Sequence, residues 1–131
     1  MDVLYPRLLV RDFPSAVAFY QGVLRELLGV EPVKVLPEHG YANWDVDGQA
    51  ALVLYGREAI TQVTGSPDPG AAGDTAMLVM KVDDVDEAAG CLVRHGAVEV
   101  APPQDRPEWA PGLRTAHLRD PESNLIELQS Y

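Results

Sequence analysis

One short pattern occurs twice in this chain, and it limits the fold more than any other feature. Val10-Arg11-Asp12-Phe13-Pro14-Ser15-Ala16-Val17 and Val82-Asp83-Asp84-Val85-Asp86-Glu87-Ala88-Ala89 lie 72 residues apart. Each reads as a strand end, an aspartate, and a helix start. The surroundings agree. Val3 to Val10 and Thr75 to Val82 are β-prone runs before the two aspartates. After Asp12, residues Ala16, Val17, Tyr20, Val23, Leu24, Leu27 and Leu28 are spaced for one helical face; after Asp84, Val85, Ala88, Ala89, Leu92 and Val93 are spaced likewise. Asp12 and Asp84 are suited to N-caps, with Pro14 in a first turn and Glu87 completing a capping-box variant. Gly29 and Gly96 are stop signals after the last apolar positions.

Short strands follow each helix. The first half predicts them near Val33–Leu36, Tyr41–Val46 and Gln49–Tyr55, with Asp47-Gly48 as a two-residue hairpin turn. The second half predicts Val98–Ala101, Leu113–Arg119 and Asn124–Ser130, with a turn at Asp120-Pro121-Glu122-Ser123. Residues 57–73, ending in the Gly/Pro-rich run Gly65 to Gly73, read as a linker between modules 1–56 and 74–131. The expected class is therefore α+β: one domain of two βαβββ modules.

Composition removes several functions. With 131 residues and 47% apolar side chains, the chain can fill one core and is not disordered. Twenty acidic residues against ten basic ones give a net charge of −10, opposite to what nucleic acid or an anionic membrane surface requires, whereas cationic small molecules would be attracted. No apolar run reaches the ~20 residues of a spanning helix, and Met1–Val10, with Asp2 and Arg7, lacks signal-peptide layout. The single cysteine, Cys91, excludes an internal disulfide and reads as an inert core thiol, so a cytoplasmic location is expected.

The doubled βαβββ order resembles the vicinal oxygen chelate superfamily, which includes glyoxalase I, extradiol dioxygenases, and fosfomycin- and bleomycin-resistance proteins. Val10-Arg11-Asp12 followed by Phe19-Tyr20 resembles the family's first strand and helix. Val82 to Asp86 with Gly96-Ala97 resembles the second. Arg119-Asp120-Pro121-Glu122-Ser123-Asn124-Leu125-Ile126-Glu127-Leu128 resembles its closing segment, with Ser123 in place of the usual glycine. The resemblance implies mixed sheets curled around a cavity, and a homodimer. It also implies a divalent metal in the catalytic branches, held by two side chains per half, at positions that fall here on Tyr5, Met77, Glu127 and a residue among Ala51–Val53. Tyr is a poor ligand at neutral pH and the Met thioether suits copper(I), so only Glu127 is a good ligand. Gln49 is the one conceivable donor in the Gln49–Tyr55 strand. An unorthodox site would need His39 or His117 with Glu127. No metal or cofactor is therefore expected.

What remains is a pocket. Tyr5, Arg7, Tyr41, Trp44, Met77, Trp109, Arg114 and Glu127 are the expected lining: rings and a thioether for a flat apolar ligand, and Glu127 needing a partner such as Arg7 or Arg114. The expected function is binding and sequestration of an antibiotic-like aromatic molecule, conferring resistance without catalysis. The alternatives are a metal-dependent glyoxalase- or dioxygenase-type enzyme with an atypical site, and a metal-free enzyme using Glu127 as general base.

Overall fold

In a computed structural model, residues 3–65, 74 and 76–131 are described. The chain divides into two compact units after Ala72. The first contains β1 (Arg7–Val10), α1 (Phe13–Leu28), β2 (Lys34–Leu36), a 3-10 turn (Pro37–His39), β3 (Tyr41–Val46), β4 (Gln49–Gly56) and α2 (Arg57–Thr64). The second contains β5 (Met77–Lys81), α3 (Val85–Arg94), β6 (Val98–Asp105), β7 (Arg114–Arg119) and β8 (Leu125–Ser130). Each unit holds one four-stranded sheet, ordered β1-β4-β3-β2 and β5-β8-β7-β6, with the first pair parallel and the others antiparallel. This is the expected α+β repeat of βαβββ modules.

The caps form where the side chains predict them. Asp12 Oδ1 accepts from Ser15 N at 3.1 Å, and Asp84 Oδ1 from Glu87 N at 3.0 Å. Gly29 closes α1 at φ 65°, its N–H bonding Arg25 O, while Val30 N reaches Leu24 O. Asp47 and Gly48 both have positive φ, as a type I′ hairpin turn requires. The buried stripe of α1, including Phe19, Tyr20, Val23 and Leu24, packs toward β4, and the inward residues of its sheet are Val10, Ala42, Trp44 and Leu54. In the second unit α3 lays Val85, Ala88, Ala89, Cys91 and Leu92 toward the sheet that buries Ala116, Leu118, Ile126 and Leu128. Each large side chain so buried contributes about 1.5–3 kcal/mol.

Three boundaries differ from expectation. β1 begins at Arg7, directly after Pro6, which has no N–H to give a ladder. β6 runs on to Asp105 through Pro102 and Pro103, tolerated because β6 is an edge strand, and its register with β7 shifts twice there. The segment expected as linker starts with a helix: α2 is only eight residues long, has no buried residue and is rich in Thr and β-branched side chains, which are weak helix formers. Residues 66–73 and Thr75 lie outside the described residues.

Candidate functional site

Strand parity decides which side chains can share a surface. In the second unit the register pairs Ala101 with His117, His117 with Glu127, and Glu127 with Val79. These residues form one row across the sheet face opposite α3, with Met77, Thr115 and Gln129 on the same face two residues away. Glu127 is 8% exposed. Its Oε1 lies 2.9 Å from His117 Nε2, and its Oε2 accepts from Gln129 Nε2 at 2.9 Å. Both carboxylate oxygens thus have a protein partner, which is how a largely buried charge is made tolerable.

Beside this pair stands the loop of residues 106–113. Its backbone folds on itself through Arg106 N to Leu113 O (2.8 Å), Trp109 N to Arg106 O (3.0 Å) and Leu113 N to Ala110 O (3.2 Å). Trp109 is held 53% exposed. The Arg106 guanidinium lies 4.6 Å from its ring centroid, and His117 meets it edge-on at 6.4 Å and 72°. Arg106 Nε also donates to the fully buried Thr115 hydroxyl at 3.3 Å. A rigid half-exposed indole therefore flanks a satisfied imidazole–carboxylate pair.

In the first unit the corresponding face carries Arg7, Val53 and Asn43 in one row and Leu9, Tyr55 and Tyr41 in the next. Arg7 hydrogen-bonds Tyr5, which raises its pKa, and its guanidinium lies 5.8 Å from the Tyr55 ring centroid. Tyr41 meets Tyr55 edge-on at 6.2 Å. Tyr5, Arg7 and Tyr41 are thus brought together, with Tyr55 as an unforeseen fourth member.

Two expected lining residues lie elsewhere. Trp44 is wholly buried on the helix side, sharing its face with Ala42, because residue 44 has the opposite parity to Tyr41 and Asn43. Arg114 shares its parity with Ala116 and Leu118, again the helix side. There it grips Asp86 of α3 at 2.7 and 3.0 Å and Asp105 at 3.0 Å, so it does not serve Glu127; the partners are His117 and Gln129. Met77 and Val79 are half-exposed on the predicted face.

A four-ligand metal site would need a donor at each of the four matching positions. The residue matching Glu127 in the first unit's register is Val53, which has no donor atom. With Tyr5 and Met77 at the other two positions, one carboxylate remains, already hydrogen-bonded through both oxygens. These residues do not fit the metal of the catalytic branches.

The family follows from comparison. Residues 3–128 match the model of the Glyoxalase/Bleomycin resistance protein/Dioxygenase superfamily. The chain belongs to that superfamily. It is 35% identical to the uncharacterized protein YraH of Bacillus subtilis (strain 168) over 131 residues, covering 98% of this chain and 97% of that one. Its fold resembles a glyoxalase-related enzyme from Fulvimarina pelagi, with a TM-score of 0.78 at 20% identity over 100% of this chain and 88% of the other. It also resembles TioX from Micromonospora sp. ML1, with a TM-score of 0.63 at 27% identity over 99% and 98%.

Arg106 and Gln129 were not among the sequence-predicted site residues, and His117 was paired with Glu127 only as a donor to an unorthodox metal site, not as part of the pocket lining. A signal for His117 was present: once residues 120–124 are a turn and Arg119 faces Leu125, His117 must face Glu127.

Proposed function

We propose that this chain binds and sequesters a flat, largely aromatic, antibiotic-like molecule, protecting its host without chemical conversion. The carrying observation is Trp109: a large ring held half-exposed on a hydrogen-bonded loop, backed by Arg106 and set edge-on to His117. Stacking on such a ring contributes about 0.5–1.5 kcal/mol beyond area burial. Met77 and Val79, half-exposed on the same unit's open face, supply adaptable apolar surface. The Tyr5, Tyr41 and Tyr55 rings around Arg7 give the first unit a similar surface. Glu127 and His117 satisfy each other, so they offer a ligand polar edges without demanding a metal.

The proposed working form is a cytoplasmic homodimer with no nucleic-acid or membrane partner. The half-exposed or more exposed Val98 and Val100 on edge strand β6 support self-association. The test is titration with planar aromatic antibiotics, followed by tryptophan fluorescence in the native chain and in Trp109→Phe, with inhibitory concentrations measured in an expressing host. The reading predicts saturable quenching lost in Trp109→Phe and a raised inhibitory concentration. Absence of both across the panel refutes it.

A second reading, an atypical metal-dependent enzyme, is favoured by one observation: an imidazole and a carboxylate stand 2.9 Å apart at His117 and Glu127. Stoichiometric Ni, Zn, Fe or Mn in purified protein, lost in Glu127→Gln, would establish that reading over sequestration.

A further inference from the structure

The first unit contains a groove of about 590 Å³ at the C-terminal ends of its two parallel strands. Its apolar lining comes from Val10 and Phe13; its walls are the Pro37–His39 turn and the start of α2. The groove is preformed. Gly56 N donates to Gly40 O at 2.7 Å, and Gly40, at φ 59°, lies so close that a Cβ there would meet Gly56 Cα at 3.3 Å.

Arg57 stands in this wall. In a chain with twice as many acidic as basic residues, other arginines are claimed: Arg25 by Glu31, Arg114 by Asp86 and Asp105, Arg119 by Asp74. Arg57 Nε is instead buried with no hydrogen-bond acceptor among the described residues. A guanidinium cannot escape by losing its proton, and no ion pair holds Arg57 among the described residues, so its part-exposed side chain keeps an unneutralised positive charge on the groove wall. The same wall has further donors to spare, since α2 starts at Gly56 with no side chain accepting from its first turn.

We propose that this groove binds the oxyanion head, carboxylate or phosphate, of a small molecule whose apolar body rests on Phe13, with Arg57 as the anchor. Glu38 and Glu58 also line the groove, and Glu38 lies 3.9 Å from His39. Their charge favours a ligand with one anionic head over a polyanion. This inference does not depend on the Trp109 reading.

The test is a ¹H–¹⁵N titration of the whole protein at low salt with inorganic phosphate and, separately, benzoate. Saturable shifts are expected at the amides of residues 56–59 and at the Arg57 side-chain Nε–H. Saturation by benzoate alone assigns a carboxylate head, by phosphate alone a phosphate head; either supports the proposal. Arg57→Gln should weaken binding at least tenfold, and Arg57→Lys, which keeps the charge but not the fork, by several-fold. Because Arg57 Nε is unpartnered, Arg57→Gln should melt at or above the native temperature. No saturable shift with either anion, binding unchanged in Arg57→Gln, or a clear fall in its melting temperature would overturn the proposal.

Discussion

Replacing Glu127 by Ala tests whether the carboxylate belongs to the fold. Its side chain and that of His117 are 11% and 15% exposed, so solvent screens their 2.9 Å contact only partly. A hydrogen bond to a charged acceptor contributes about 1.5–3 kcal/mol, and a donor left buried without one costs about 1–3 kcal/mol. Gln129 is half-buried and can turn toward water, so its share is small; His117 cannot do so as easily. Glu127→Ala should therefore destabilise by about 2–3 kcal/mol, and His117→Ala by about 2 kcal/mol, since it leaves the carboxylate with one protein partner. The double variant should cost about 3 kcal/mol, less than the singles added, giving a coupling of about 1–2 kcal/mol. At roughly 4 °C per kcal/mol for a chain of this length, the Glu127→Ala melt falls by about 8–12 °C. Urea denaturation followed by circular dichroism measures all three. If the singles add to within ~0.5 kcal/mol, the pair does not exist in solution and the satisfied-wall account of Glu127 fails.

Asp120, 3% exposed, accepts from Glu122 N and Asn124 N at 2.8 Å and from Asn124 Nδ2 at 3.0 Å; Asp120→Ala should lower stability by about 3 kcal/mol and Asp120→Asn by less, because an amide oxygen still serves the two backbone groups. Asp86 is held below the usual carboxylate range, first by hydrogen bonding from Arg114. Its contribution is thus present above the unfolded value of ~3.9 and lost as pH falls through the lower folded value. Arg114→Met should therefore flatten the melting-temperature profile below about pH 4, and an unchanged acid slope refutes the pairing. Iodide should quench the half-exposed Trp109 and spare the buried Trp44; in Trp109→Phe the remaining emission should resist the quencher, and a quenchable residue would contradict the burial of Trp44.

Local chemistry carried most of the fold. Asp12, Asp84, Gly29 and Asp47-Gly48 each act through neighbours within a few residues, so their roles are legible without tertiary knowledge. Ser123 adopts φ 67° where the family pattern expects glycine, and Asp120 closes the turn around it with the three bonds just described, so the departure leaves the hairpin intact. α2 was not legible because it is so short: eight residues make about two turns, too few positions for apolar periodicity to register as a helix.

The site was legible only in part, and parity explains the division. Tyr5 and Arg7 were placed together by alternation within one strand, a period that a single sequence displays. Assigning Arg114 to Glu127 instead required knowing which residues of β7 share a face with β8. The hairpin fixes that: Arg119 opposite Leu125 forces His117 opposite Glu127 and turns Arg114, with the other even-numbered residues of β7, toward α3. There two aspartates, brought in by α3 and β6, hold it. Trp44 was misplaced in the same way, one residue from Asn43 on the open face. Its burial also leaves Nε1 without an acceptor among the described residues, which a large ring tolerates when the apolar area it buries outweighs one lost bond. The ring that stays available to a ligand is therefore the one on a loop, where a neighbouring arginine and backbone turns, rather than a sheet, decide its exposure.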